Sequence, residues 1–221
     1  MYSKLAYFYD SLVDADYEQI INEIKSNIKT GSKVLDLACG TGTVINALID
    51  SYEMVGVDIS EDMLEIARGK NPNVDLFIHD LRDDFFLEGL DAIICNLDSI
   101  NYLLLENEVE KLLKNVSDNL KGGIFIFDVH AHSKLETLRD YLSVDLDQDV
   151  SYIWKVDIKK DFIYHYLTFF IKDKENYVRF DEEHVQKVYS QDFYEKLLSK
   201  YSFDFSVKYL EDRILFVCNK R

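Results

Sequence analysis

From Val34 to Asp128, short apolar runs alternate with segments whose apolar residues recur at helical spacing. Val34 to Leu37 reads as a buried strand, and Val44, Leu48 and Ile49 begin a helix directly after the glycines that follow it. A second strand, Glu53 to Val57, ends in Asp58. Asp58, Ser60 and Glu61 then lead into Met63, Leu64 and Ala67 as a capped helix. Pro72, the only proline, marks the turn before a strand from Val74 to Ile78. Asp91 to Cys95 supplies a fourth strand. A core-facing helix follows on Val109, Leu112, Leu113, Val116 and Leu120, ends at Gly122-Gly123, and feeds a fifth strand reaching Asp128. Such alternation predicts an α/β fold with a parallel sheet covered on both faces.

The two ends of the chain differ from this middle. Asp14-Ala15-Asp16-Tyr17 precedes Ile20, Ile21, Ile24 and Ile28, a stripe at helical spacing suited to covering the sheet, and an aromatic cluster of Tyr2, Tyr7, Phe8 and Tyr9 comes before it. From Asp149 onward, consecutive aromatic and β-branched segments (Tyr152 to Ile158, Phe162 to Ile171, Tyr177 to Tyr189) predict an antiparallel insertion spanning residues 149–190. Asp192 to Tyr201 and Phe203 to Cys218 read as a helix and two further strands that complete the sheet. With no proline-, glycine- or serine-rich linker and no internal repeat, residues 1–221 are expected to form one domain, residues 1–30 being a helical N-terminal segment.

Charge narrows the partners. The formal net charge of -16 is spread along the chain and repels phosphate backbones and anionic membranes, which disfavours nucleic-acid and membrane partners. No apolar stretch reaches the roughly 20 residues of a membrane helix, and the N-terminus lacks a signal peptide's apolar segment, so a cytoplasmic enzyme is expected. Cys39, Cys95 and Cys218 show no metal-ligand spacing and are expected as reduced core thiols. His130 and His132 lack a matching ligand cluster, so no metal is expected.

Chemistry concentrates at the first crossover. Gly40 and Gly42 fall at a strand-to-helix turn, where bare backbone lets a ligand approach a helix N-terminus. Asp58, at the end of the next strand, stands where a carboxylate accepts from both ribose hydroxyls. A dinucleotide site needs a third glycine beneath the pyrophosphate, and Ile45 occupies that position. Asp36 would repel a pyrophosphate yet attract a cofactor bearing an ammonium and a sulfonium, which points to S-adenosylmethionine.

Leu35-Asp36-Leu37-Ala38-Cys39-Gly40-Thr41-Gly42 resembles the first motif of the class I S-adenosylmethionine-dependent methyltransferases. Gly56 to Leu64 resembles the second motif, His79-Asp80-Leu81-Arg82 the adenine segment, and Lys121 to Asp128 the fifth strand, although the usual proline before the glycines is missing. Ala6 to Leu12, Asp98 to Leu103, Asp128-Val129-His130 and Arg179 to His184 resemble the YqeM-like bacterial subgroup, which has no obvious common substrate. The resemblance implies a Rossmann-like doubly wound seven-stranded sheet with a small antiparallel β insertion after the fifth strand. It also implies a cofactor site of Asp36, Ala38, Gly40, Thr41, Gly42, Asp58, Ile59, Met63, Asp80, Leu81, Asn96 and Asp98. In that site Asp80 accepts from the adenine amino group and the backbone of Leu81 serves a ring nitrogen.

The same resemblance puts the acceptor over the fifth strand's end, with Trp154, Tyr166, Arg179, His184 and Tyr189 as wall candidates and the N-terminal segment closing over the cofactor, Tyr9 facing the donor; Tyr102, after the fourth strand, offers a further aromatic wall. Alternate residues on a strand point to opposite faces, so about half of the wall candidates are expected to point elsewhere. His130 and His184 are candidate bases, because an imidazole titrates near neutrality and suits proton removal from an amine or hydroxyl. The expected activity is methyl transfer to nitrogen or oxygen of a small molecule. The alternatives are a cofactor-binding regulatory module without turnover and an NAD-dependent oxidoreductase.

Overall fold

The computed structural model describes Asp10 and residues 17–221. Tyr9, the aromatic cluster around it and half of the expected N-terminal segment lie outside the described residues. In chain order the first half comprises α1 (Tyr17–Asn27), β1 (Lys33–Leu37), α2 (Thr43–Leu48), β2 (Glu53–Asp58), α3 (Glu61–Lys70), β3 (Asp75–Ile78), β4 (Ala92–Cys95), a 3-10 turn (Ser99–Tyr102), α4 (Glu106–Asn119) and β5 (Ile124–His130). The second half adds α5 (Ser133–Thr137), β6 (Leu142–Asp145), β7 (Val150–Lys159), β8 (Phe162–Asp173), β9 (Asn176–Lys187), α6 (Gln191–Lys200), β10 (Phe203–Leu210) and β11 (Arg213–Lys220).

Among the described residues the strands form two sheets. The larger has seven strands in the order β10-β11-β5-β4-β1-β2-β3. Its strands from β3 through β5 pair in parallel, and β11 runs antiparallel to both neighbours. The smaller is the four-stranded antiparallel meander β6-β7-β8-β9, inserted after β5. This is the doubly wound α/β architecture expected, with one difference in the insertion. It begins at Leu142 rather than at Asp149, because Leu142–Asp145 finds pairing partners only along β7, from Leu142↔Lys155 to Asp145↔Tyr152.

Side-chain alternation explains the two-sided burial. Leu35, Leu37, Val55, Val57, Ile93, Cys95, Phe125 and Phe127 point to one face, where α4 and α6 contribute Leu112, Val116, Tyr194 and Leu198. Val34, Met54, Ala92, Ile94 and Ile126 point to the other, against Ile20 and Ile24 of α1, Val44 and Leu48 of α2, and Leu64 of α3. All three cysteines are buried and unbonded to one another. Among the described residues no helix is long and apolar enough to cross a membrane, and no group of three or more His, Cys, Asp or Glu is placed to hold a metal ion.

Parallel strands that enter helices through short turns leave their carboxyl ends on one edge. Crevices at that edge lie where neighbouring connections diverge to opposite faces, here between β1 and β4.

Candidate active site

At this edge a cleft of about 300 Å³ is bordered by residues at the ends of four strands: Ala38 and Gly40 after β1, Asp58 closing β2 with Ile59 and Met63 beyond it, His79 to Arg82 after β3, and Leu97, Asp98, Ser99, Tyr102 and Leu103 after β4. A smaller recess of about 40 Å³ adjoins it, lined by Tyr17, Asp36, Thr41, Asn96 and Leu97 among others; Ala38, Gly40, Leu97 and Ser99 border both spaces.

Asp58 is buried, and its two oxygens accept from Gly40 N at 2.8 Å and Ser60 N at 2.9 Å. The carboxylate therefore ties the end of β2 to the glycine turn. Burial pushes its pKa upward, partly countered by the backbone N–H groups of Ser60 and Gly40. Ser60 caps α3 by accepting from Met63 N, which aims Met63 at the cleft. Asp80 accepts from Arg82 through the backbone N–H at 2.9 Å and through the guanidinium, and those bonds hold its pKa below the ordinary carboxylate range.

The two glycines divide their labour. Gly40, at φ 53, would carry a Cβ into open space, whereas a Cβ on Gly42, at φ 73, would meet Asn71 Nδ2 at 2.6 Å and Ala67 Cβ at 3.0 Å. Gly42 is thus a packing glycine whose missing side chain faces α3, and it borders neither the cleft nor the recess. Alanine at either site is expected to lose about 1–2 kcal/mol for the left-handed backbone, and Gly42→Ala a further 1–3 kcal/mol or so for overpacking. Urea unfolding of the two variants checks this ordering.

Asp36 is buried, and its Oδ2 has no hydrogen-bond partner among the described residues; both amide atoms of buried Asn96 share that condition. Burial raises the Asp36 pKa well above 3.8, and the nearby Asp58 raises it further. A raised native pKa means that the folded chain holds this proton more tightly than the unfolded chain, so stability falls as pH rises from about 4 through the raised value. Asp36→Asn removes that penalty. The ligand-free variant is expected to melt above the wild type at pH 7, by roughly 2–4 °C per kcal/mol relieved, and level with it near pH 3. Thermal unfolding across this range is the check.

Beyond the cleft the expected acceptor residues part company. Tyr102 borders the cleft and meets His184 edge-on, ring centroids 6.3 Å apart, and His184 Nε2 lies 3.1 Å from Glu182 on β9. Tyr189 is instead a core residue, stacked on Phe193 and donating its hydroxyl to Leu103 O at 2.9 Å. Arg179 is exposed and paired with Asp181; it stands opposite Phe170, whereas His184 stands opposite His165. Residues 179 and 184 differ by an odd number along one strand, so they face opposite sides. Trp154 packs in the small sheet's own core against Tyr141 and donates Nε1–H to His165 Nδ1 at 3.2 Å. It braces the sheet from within and does not line the cleft.

His130 also departs from expectation. β5 continues through it, and the ring is buried at 2% exposure between Gln186 Oε1 at 2.9 Å and Asp98 Oδ2 at 3.3 Å. Gln186 and Asp98 close over the ring, so it is not placed to take a proton from an acceptor in the cleft. Asp98 does not cap the following 3-10 turn. Its carboxylate lies among Arg213, His130 and Gln186; although burial works to raise its pKa, His130 and Arg213 draw it down to about 2. Sequence reasoning gave no role to Asp128, Arg213 and Gln186, although a lone carboxylate inside Ile124–His130 was a signal, since buried charges are kept only when paired.

Comparison with known proteins agrees with this geometry. Residues 34–123 match the family described as methyltransferase domain. YqeM of Bacillus subtilis (strain 168), a methyltransferase by name, is 36% identical over 213 residues, covering 92% of this chain and 86% of its own. The crystal structure of an S-adenosylmethionine-dependent methyltransferase from Clostridium acetobutylicum ATCC 824 matches with a TM-score of 0.86 at 32% identity, covering 99% of this chain and 98% of that one. Over 107 residues, 48% of this chain and 42% of the relative, it is 32% identical to a dTDP-3-amino-3,6-dideoxy-alpha-D-glucopyranose N,N-dimethyltransferase from Streptomyces fradiae. Likeness at that identity over nearly the full length, on a fold whose strand ends leave a carboxylate-lined cleft, places the chain among the S-adenosylmethionine-dependent methyltransferases.

Proposed function

We propose that this enzyme transfers a methyl group to nitrogen or oxygen of a small-molecule acceptor held between the Ser99–Tyr102 turn and the inner face of the four-stranded sheet. The observation that carries the reading is the meeting of Tyr102, on the rim of the cleft, with the His184–Glu182 pair of the inserted sheet. The inserted sheet thus comes to the rim of the cleft through Tyr102 and brings a base and a carboxylate behind that aromatic wall.

Features of the cleft fit S-adenosylmethionine. Among the described residues, Asn96 has a buried amide with both atoms unpartnered, Asp36 a buried and unpartnered oxygen, and Gly40 open space where a Cβ would project. A donor set of three carboxylates suits the ammonium, ribose and adenine amino groups of that molecule, assigned here to Asp36, Asp58 and Asp80 in turn. Asn96 and Thr41 join Asp36 around the recess, and Ile59, Met63 and Leu81 provide the apolar walls. When bound, S-adenosylmethionine supplies an electrophilic methyl on a sulfonium that leaves as a neutral thioether. The protein's task is alignment and exclusion of water rather than provision of a nucleophile. His184, oriented by Glu182, takes the proton of an acceptor that arrives protonated.

Incubation with labelled methyl donor and a panel of amines, hydroxyl compounds and dTDP-amino sugars tests the reading, the last because of the partial likeness to the Streptomyces enzyme. Labelled small-molecule product is expected. Label confined to protein or RNA, or donor binding without turnover on any acceptor, would overturn it.

A further inference from the structure

Leu97 and Asp98, one residue beyond the end of β4, both adopt the left-handed backbone, φ 57 and 55. Side chains with a Cβ resist that conformation, and two in succession persist only where the surroundings over-determine them. The place matters, because Leu97 borders both the cleft and the recess, and Asp98 borders the cleft.

The groups that hold the turn come from two other strands. Asp128, on β5 and fully buried, accepts from Leu97 N at 2.7 Å with one oxygen and from Asp98 N at 3.0 Å with the other. Arg213, the first residue of β11, donates Nη1–H to Asp128 at 2.8 Å and also lies against the Asp98 carboxylate. A buried carboxylate stays ionised only with a partner, and the ionised form accepts the stronger hydrogen bonds. Arg213 is that partner, and its Nη1 lies against both carboxylates at once.

A second line of bonds enters from the small sheet. Gln186 donates Nε2–H to Asp98 at 3.0 Å, while its Oε1 lies 2.9 Å from His130 Nε2 and 3.1 Å from His165 Nε2. An amide oxygen only accepts, so both rings carry hydrogen on Nε2. Trp154 donating to His165 Nδ1 agrees with that tautomer. The bonds therefore run in one direction, Trp154 to His165 to Gln186 to Asp98, and end on the turn that Arg213 and Asp128 already hold.

We infer that Arg213 and Asp128 are positioning residues of the methyl-donor site: together they clamp the Leu97–Asp98 turn in its left-handed form and so set the wall shared by cleft and recess. The inference rests on the assignment of this cleft to the donor.

Hydrogen exchange on the ligand-free protein, with S-adenosylhomocysteine titration alongside, tests it in wild type, Arg213→Met and Arg213→Lys. In Arg213→Met the Leu97 and Asp98 amides are expected to exchange at least tenfold faster while β1 and α4 keep wild-type rates, and affinity to fall about tenfold, the size of one lost charge-assisted hydrogen bond. Arg213→Lys keeps the charge without the fork and is expected to fall between. It carries the same comparison if Arg213→Met does not fold. Wild-type exchange at residues 97 and 98 in a folded variant overturns the clamp. So does uniform acceleration across the sheet, or loss of the fold in both variants, because either makes the pair a general core feature. A wild type that does not bind S-adenosylhomocysteine, with the exchange result as expected, overturns the donor assignment and leaves the local clamp standing.

Discussion

Exchange of Asp58 for alanine is expected to weaken S-adenosylhomocysteine binding by about 100-fold or more. Hydrogen bonds to a charged group contribute about 1.5–3 kcal/mol each, and a carboxylate serving two ribose hydroxyls makes two, so a loss near 3 kcal/mol corresponds to about two decades in affinity. The variant also releases Gly40 N, which Asp58 holds at 2.8 Å, so the glycine turn loses an anchor together with the ribose. Asp58→Asn separates the two effects, because an amide retains one acceptor for the backbone but loses the charge. It is expected to fall between wild type and alanine. Calorimetry reads all three proteins, and unchanged affinity in Asp58→Ala would remove this residue from the donor site.

Replacement of His184 by asparagine is expected to lower kcat about 100-fold at neutral pH, the lower end of what a positioned general base contributes, with donor affinity within about twofold of wild type. The ring meets Tyr102 on the cleft rim and has Glu182 at 3.1 Å to orient it. None of these groups is assigned to the donor, so binding of S-adenosylhomocysteine is a suitable internal control. An undiminished kcat on the acceptor identified from the panel would show that it arrives already deprotonated, and His184 would lose its assigned role.

Much of the cofactor side was legible because its information is local. A strand, a glycine turn, a helix and a carboxylate one strand later lie within residues 34–58, and the structure keeps each in place, with Ile45 packed over Gly56 so closely that a Cβ there would meet it at 2.6 Å. That contact gives Ile45 a packing role on β2, in the position where a dinucleotide motif has its third glycine. The acceptor side was less legible for reasons of parity and distance. Arg179 and His184 belong to one strand whose both faces carry aromatic or charged residues, so composition did not reveal which face turned inward. Tyr189 resembles a pocket aromatic in sequence, yet its position between Phe193 and Leu103 makes it core.

His130 fails as a base for a related reason. Pairing with β11, from Arg213↔His130 through Asn219↔Ile124, extends the fifth strand past Asp128 and turns the imidazole under β9. The clamp itself joins residues 85 positions apart, which no local pattern encodes. The aspartate within Ile124–His130 signalled that a partner existed without indicating that Arg213 supplied it.

The most direct test of the account is the structure of the protein crystallised with S-adenosylhomocysteine. The account predicts the ligand across the carboxyl ends of β1 to β4, with the ribose hydroxyls on Asp58, the adenine beside Asp80 and Leu81, and the amino acid end in the recess with Asp36 and Asn96. Ligand seated elsewhere on the molecule, or a ribose with no contact to Asp58, would contradict it.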